Sequence, residues 1–263
     1  MSELANRMER EADFSRRLSK LTTTQRKELR SKLGTPPNPG NVTDADWKRW
    51  EDERRGLLIV LLLLLSTDSA TQHSEEITDE YGDKLGDQGA DFQGKATDLA
   101  RDWAVKTSAE LAAEQIKNTR EYLDRKVQVW QELQRDGGTV PEELIDADLV
   151  DLLGPRWDEN TAITWTTNAT TAGARGAVEA ANEKETIVDL RWFTRRDARV
   201  CFICGPLHLQ PKEKWEEIIR GTGAPGWFEA IQAVRDNGGP TAHRRCRCWL
   251  DVVPYRPPAN RTF

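Results

Sequence analysis

Residues 92–133 read FQGKATDLARDWAVKTSAELAAEQIKNTREYLDRKVQVWQEL. Within them Phe92, Ala96, Leu99, Trp103, Leu111, Ile116, Leu123, Val127, Trp130 and Leu133 recur mostly at steps of three and four. That spacing lines apolar side chains along one face of an α-helix. A helical pattern this long predicts either one rod or an antiparallel hairpin, and it sets the chain as mainly α. Asp136-Gly137-Gly138 ends it, Pro141 can open a short helix, and Gly154-Pro155 breaks the chain again.

Toward the N-terminus, residues 1–33 predict a charged helix with sparse apolar positions: Leu4, Met8, Phe14, Leu18, Leu21, Leu29 and Leu33. Gly34 and the prolines at 36, 37 and 39 stop it. Thr43 is placed as the N-cap of the next helix, with Asp46 at its N3 position. This helix is expected to pass through Trp47 and Trp50 into the apolar run 57–65 (LLIVLLLLL) and to end near the polar stretch 66–74. A membrane span needs about 20 apolar residues, so the run predicts a helix buried in this protein or against a partner. A segment that turns membrane-active after a conformational change is the alternative. Residues 75–90 are acidic and glycine-spaced, and the N-terminus lacks the apolar core of a signal peptide.

Toward the C-terminus, residues 160–185 read as a Thr/Ala-rich helix whose small side chains allow close packing. Residues 187–193 and 249–253 are strand candidates, with short helices expected at 212–220 and 227–235. The fold class expected is therefore mainly α with a small C-terminal α+β domain. Long helices fill the N-terminal part, and short strands bracket a Cys/His cluster. The domain reading is a charged helical arm at 1–40, a helical region at 41–155, the α+β domain at 156–253 and an extended tail at 254–263.

The chain of 263 residues is 31% charged, with a net charge of −6, which argues against a general nucleic-acid binder. The charge is uneven. From Arg191 onward 13 Lys/Arg face 7 Asp/Glu, a balance of +6, which leaves −12 on the first 190 residues. The basic tail could face something acidic while the body does not.

All four cysteines fall in the last quarter of the sequence, as Cys201-Phe-Ile-Cys204 and His243-Arg-Arg-Cys246-Arg-Cys248. A CxxC knuckle followed by HxxCxC offers five candidate ligands, Cys201, Cys204, His243, Cys246 and Cys248, for a tetrahedral ion that needs four. The favoured set is Cys201, Cys204 and Cys246 with either His243 or Cys248. Structural zinc is the leading reading. Reduced thiols packed as small hydrophobes, a disulfide or redox pair, and catalytic zinc are the others. The arginines at 244, 245 and 247 would lower thiolate pKa values, or form a solvated basic loop. His208 reads as a loop residue rather than a ligand. Residues 221–226 match G-x-G-x-x-G but follow a predicted helix instead of a strand, so a dinucleotide site is not expected. The ten tryptophans are assigned mainly to core packing.

The segment Thr194-Arg-Arg-Asp197-Ala-Arg199-Val200-Cys201-Phe-Ile-Cys204, followed by Pro240-Thr-Ala-His243-Arg-Arg-Cys246-Arg-Cys248-Trp249, resembles the C-terminal domain of the phage Mu F-like head morphogenesis, or minor head (minor capsid), family. Thr166-Thr-Asn168 through Arg175 is similar to that family's Thr-Glu helix, with Asn168 in the place of the usual Glu. The likeness covers about residues 160–253, and residues 1–155 carry no matching motif.

The resemblance implies a structural, low-copy, portal-associated protein of a tailed phage, acting in procapsid assembly and in DNA packaging or ejection. Its location would be the virion, at the capsid interior or portal vertex, and the host cytoplasm during assembly. Expected partners are the portal protein, other capsid components, packaged DNA through the basic C-terminal domain and a second copy of the chain, with no constitutive membrane. Zn is the expected cofactor, and no catalytic residue is expected. Thr194, Asp197 and Arg199 would shape the turn before the knuckle. Two alternatives stand beside it: a zinc-stapled nucleic-acid-binding protein, and an ADP-ribosyltransferase-like enzyme.

Overall fold

The computed structural model describes residues 3–85, 91–194, 200–240, 246 and 248–255, with the side chains of 3–7 and 156 excepted. Helices α1 (Glu3–Leu33), α2 (Asp44–Leu85), α3 (Phe92–Arg135), α4 (Glu142–Leu152) and α5 (Pro155–Ala181) come first. Strand β1 (Val188–Phe193), helices α6 (Trp215–Gly221) and α7 (Trp227–Asn237) and strand β2 (Trp249–Pro254) complete the order. The class is mainly α with a small C-terminal α+β part, as the periodicities predict. The chain divides into two compact units: residues 1–61 with 105–163, and residues 62–104 with 164–263.

Residues 92–135 form one continuous helix rather than a hairpin. Its end at Gly137, where φ is +82°, follows from glycine's tolerance of the left-handed region. The start of α2 is a reciprocal capping box. The Thr43 N–H donates to Asp46 Oδ2 at 3.0 Å, and the Asp46 N–H donates to Thr43 Oγ1 at 3.3 Å.

Two boundaries differ most from the expectation. Helix α2 does not stop at 66–74 but runs on to Leu85. The polar side chains there bond within or onto helices instead of competing with them. Thr67, Ser74 and Thr78 donate to the carbonyls of Leu63, Ala70 and Ser74, four residues back, and Ser66 donates to the Ala100 carbonyl at 3.1 Å. Helix α5 begins at Pro155 rather than at 160, because a proline suits the first helical position and the Gly154 carbonyl takes the N–H groups of Trp157 and Asp158.

In the first unit, Leu29, Leu33, Trp47, Trp50, Ile116, Trp130 and Leu149 belong to one buried apolar cluster. Trp47 and Trp50 meet edge to face with centroids 5.1 Å apart. A buried polar set accompanies this core. The Arg54 guanidinium donates to Gln25 and Gln115, and Asp158 accepts from Ser19 and Thr22 at 2.9 Å each. Burial pushes Arg54 down to about 10, against the pull of Asp158.

In the second unit, α5 packs closely against both α2 and α3. A Cβ at Gly173 would stand 2.4 Å from the Ser66 carbonyl oxygen, and one at Gly176 would stand 3.0 Å from that of Ala96. Helix α5 is buried almost all round from Thr166 to Ala177, which explains its Thr/Ala/Gly composition. The sheet has two antiparallel strands, with Leu190 opposite Val252 and Trp192 opposite Leu250. Val188, Leu190 and Trp192 alternate inward on β1.

Helix α2 is long and apolar enough to cross a membrane by length and composition alone. In the structure Leu58, Leu61, Leu62 and Leu65 of its apolar run are buried, while Val60 and Leu64 are exposed.

Candidate metal centre

The knuckle is positioned by β1. The residues after the knuckle pair back onto the strand: the Leu209 N–H donates to the Trp192 carbonyl and the Trp192 N–H donates to that of Gln210. Thr194 closes the base of the loop, its N–H donating to His208 Nδ1 at 3.1 Å. The His208 ring thus acts as a backbone acceptor and packs edge-on against Phe193. Within the loop the Gly205 N–H returns to the Cys201 carbonyl, and the Cys204 N–H points at Cys201 Sγ, 3.3 Å away. Amide-to-sulfur contacts of this kind favour sulfur as thiolate. Phe202, at the knuckle tip, is 88% exposed.

The second half of the cluster is held from α5. Thr167 donates its hydroxyl to the Cys246 carbonyl at 2.6 Å. Arg175 donates to the Asn237 carbonyl at the end of α7, where Gly238 takes φ +67°. These contacts tie Cys246 and the end of α7 to α5. Cys248 immediately precedes that strand and is buried, as are Cys204 and Cys246.

The Sγ atoms of Cys204, Cys246 and Cys248 all lie within 4.8 Å of one another, and Cys204 and Cys246 are 3.9 Å apart. Thiolates at about 2.3 Å from a tetrahedral zinc stand about 3.8 Å from each other. None of the four cysteines is in a disulfide. Cys201 is half-buried and adjoins the trio through Cys204. His243, with Asp197, Arg199 and the arginines at 244, 245 and 247, lies outside the described residues, as does most of the 254–263 tail.

The electrostatics are those of a site that wants a cation. The thiols of Cys201, Cys246 and Cys248 crowding Cys204, together with burial, push its pKa far up. Cys248 is also raised. Contact with Cys204 favours its thiolate, but Cys246 and burial prevail. Trp192 opposes that rise on Cys248. Its buried indole N–H has no oxygen or nitrogen acceptor among the described residues. A thiolate at Cys248 would give that donor a charge-bearing partner. The cluster can therefore hold a metal ion, and the chemistry of the donors suits a thiophilic one.

Comparison with protein families, curated proteins and solved structures finds no match for this chain.

The structure also brings together three residues that the sequence pattern did not single out. His73, Glu76 and Asp251 place one ligand atom each within 4.8 Å of the others. The i, i+3 spacing of His73 and Glu76 was the only local signal. It becomes visible only once α2 is known to continue past Ser74.

Proposed function

We propose that this chain is a structural minor capsid and head morphogenesis protein of a tailed phage, present in low copy and associated with the portal. It works by binding, and its C-terminal part is stapled by zinc. The observation that carries the reading is the gathering of Cys204, Cys246 and Cys248 into one buried cluster beside a two-stranded sheet. These are the cysteines of the motif on which the resemblance rests. The buried, Thr-rich stretch of α5 that holds Cys246 is the segment similar to the family's Thr-Glu helix. The long charged helices suit a role as arms engaging other head components. The +6 balance beyond residue 190 suits a surface facing packaged DNA. Zinc is favoured over other ions because three or four thiolates in a tetrahedral spacing match its structural sites.

The test is quantitative mass spectrometry of purified procapsids and virions of the source phage, with and without the gene. The reading expects the chain in particles at a few copies per head, and a loss of normal heads on deletion. Particles that lack the chain, with unchanged head yield in the deletion, would overturn it.

A further inference from the structure

The His73, Glu76 and Asp251 group lies within the second unit and shares no residue with the thiol cluster. His73 is buried at 6% exposure, and its Nδ1 is 2.8 Å from the Ser69 carbonyl oxygen. A carbonyl can only accept, so Nδ1 carries the proton. The neighbouring Ser69 hydroxyl spends its own hydrogen on the Thr170 carbonyl at 2.8 Å. With Nδ1 spent on that carbonyl, Nε2 is the ring nitrogen left to serve as a ligand.

Both carboxylates are oriented in the same manner. Glu76 Oε1 accepts from Gln72 Nε2 at 3.1 Å, and Asp251 Oδ1 accepts from the Val252 N–H at 3.0 Å. Each of the three side chains thus makes a hydrogen bond outside the trio. This is the pattern by which outer-shell bonds aim metal ligands. Spacing on α2 sets His73 and Glu76 on one face, and β2 brings Asp251 to them. Glu80, a further turn along α2, adds its charge near Asp251. The strand residue opposite Asp251, Arg191, is engaged with Asp189 at 3.3 Å. A single proton on the imidazole would leave this group of three carboxylates strongly negative, whereas a divalent ion would balance most of the charge.

We propose that His73, Glu76 and Asp251 form a second metal site, which takes a divalent first-row transition ion through Nε2 and two carboxylate oxygens. One imidazole with two carboxylates favours ions such as Mn²⁺ or Zn²⁺ over Mg²⁺ or Ca²⁺, which prefer all-oxygen shells. Three protein ligands leave positions for water. By joining α2 to β2 the ion ties the sheet to the helical layer of the same unit.

The test uses the full chain in equilibrium dialysis against Mn²⁺, with total bound transition metal counted by elemental analysis. Mn²⁺ is chosen because imidazole and carboxylate hold it while thiolates do so poorly. The wild-type chain is expected to hold one divalent ion more than Glu76→Gln or Asp251→Asn at the same free Mn²⁺. The affinity loss in each variant should be at least about tenfold. Glu76 is exposed, so its amide variant keeps the fold, which far-UV circular dichroism checks. Equal metal counts in wild type and both folded variants, up to millimolar Mn²⁺, would overturn the proposal.

Discussion

The two units solve the same problem of buried polarity in different ways. In the first, buried charge is met by side chains of the same unit: Arg54 by Gln25 and Gln115, Asp158 by Ser19 and Thr22, and the Trp130 indole by Asp148. Its apolar core of leucines and tryptophans comes from helices long enough to bury a continuous face. In the second, the C-terminal part rests on a two-stranded sheet, a size that is marginal by itself in water. Its core includes three crowded thiols and an indole N–H without an oxygen or nitrogen acceptor. The first unit meets most of its buried charge with its own side chains, while the second gathers thiols whose burial a bound metal ion would offset. The contrast teaches where stability should depend on something outside the chain.

Removing the proposed zinc is the sharpest way to break that contrast, and it carries the largest expected effect. Structural zinc sites in small domains contribute on the order of 10 kcal/mol or more to folding. Chelation, or Cys204→Ser, should therefore abolish hydrogen-exchange protection in β1, β2, α6 and α7. Amides of α1 and α4 should stay protected. Uniform loss across both units, or no loss in the strands, would show that the thiols are not a staple. The next effect concerns packing within the second unit. Gly173→Ala puts a methyl against the Ser66 carbonyl and Ser69. It should destabilise by about 3 kcal/mol although alanine favours helix. Chemical denaturation gives the value, and a neutral result would mean that α2 and α5 can move apart at little cost.

Much of this architecture was legible from periodicity, because long helices repeat their signal many times. The 92–133 pattern, the Thr43 cap and both strands are where apolar spacing and capping chemistry place them. The missed part was the course of α2 beyond residue 66. Serines and threonines read as loop formers there, yet in the fold their hydroxyls find helix carbonyls. That choice depends on α5 and α3 burying the segment, which no local window contains. The thiols were legible as a cluster because CxxC and CxC are local spacings. The His73–Asp251 pairing was not, since it spans most of the chain and depends on the overlooked helical turns.

The remaining two predictions probe the first unit, where the effects should be smaller and carried by ordinary side-chain bonds. Asp148 accepts from Trp130 Nε1 at 3.0 Å and from Lys126 Nζ at 2.6 Å, and it is 7% exposed. Asp148→Ala leaves a buried indole N–H without its acceptor and should cost about 2–3 kcal/mol. Asp148→Asn, which keeps an acceptor, should recover part of that loss in the same denaturation series.

The smallest effect belongs to the capping box of α2, and it has a pH signature. The Thr43 N–H above all, then Lys32 and the Thr43 hydroxyl, hold the Asp46 carboxyl below its ordinary 3.8, at about 2. A carboxylate depressed on folding stabilises the native state fully above its unfolded value, and that contribution fades as the pH falls through the folded one. The melting temperature of the wild-type chain should therefore fall more steeply between pH 4 and pH 2 than that of Asp46→Asn. At neutral pH Thr43→Ala should cost about 1 kcal/mol, through loss of the cap to the Asp46 N–H. Parallel pH profiles for wild type and Asp46→Asn would mean that the box adds nothing to stability. The start of α2 would then be held by Trp47 and Trp50 in the core alone, and the first unit would owe even its helix ends to apolar burial.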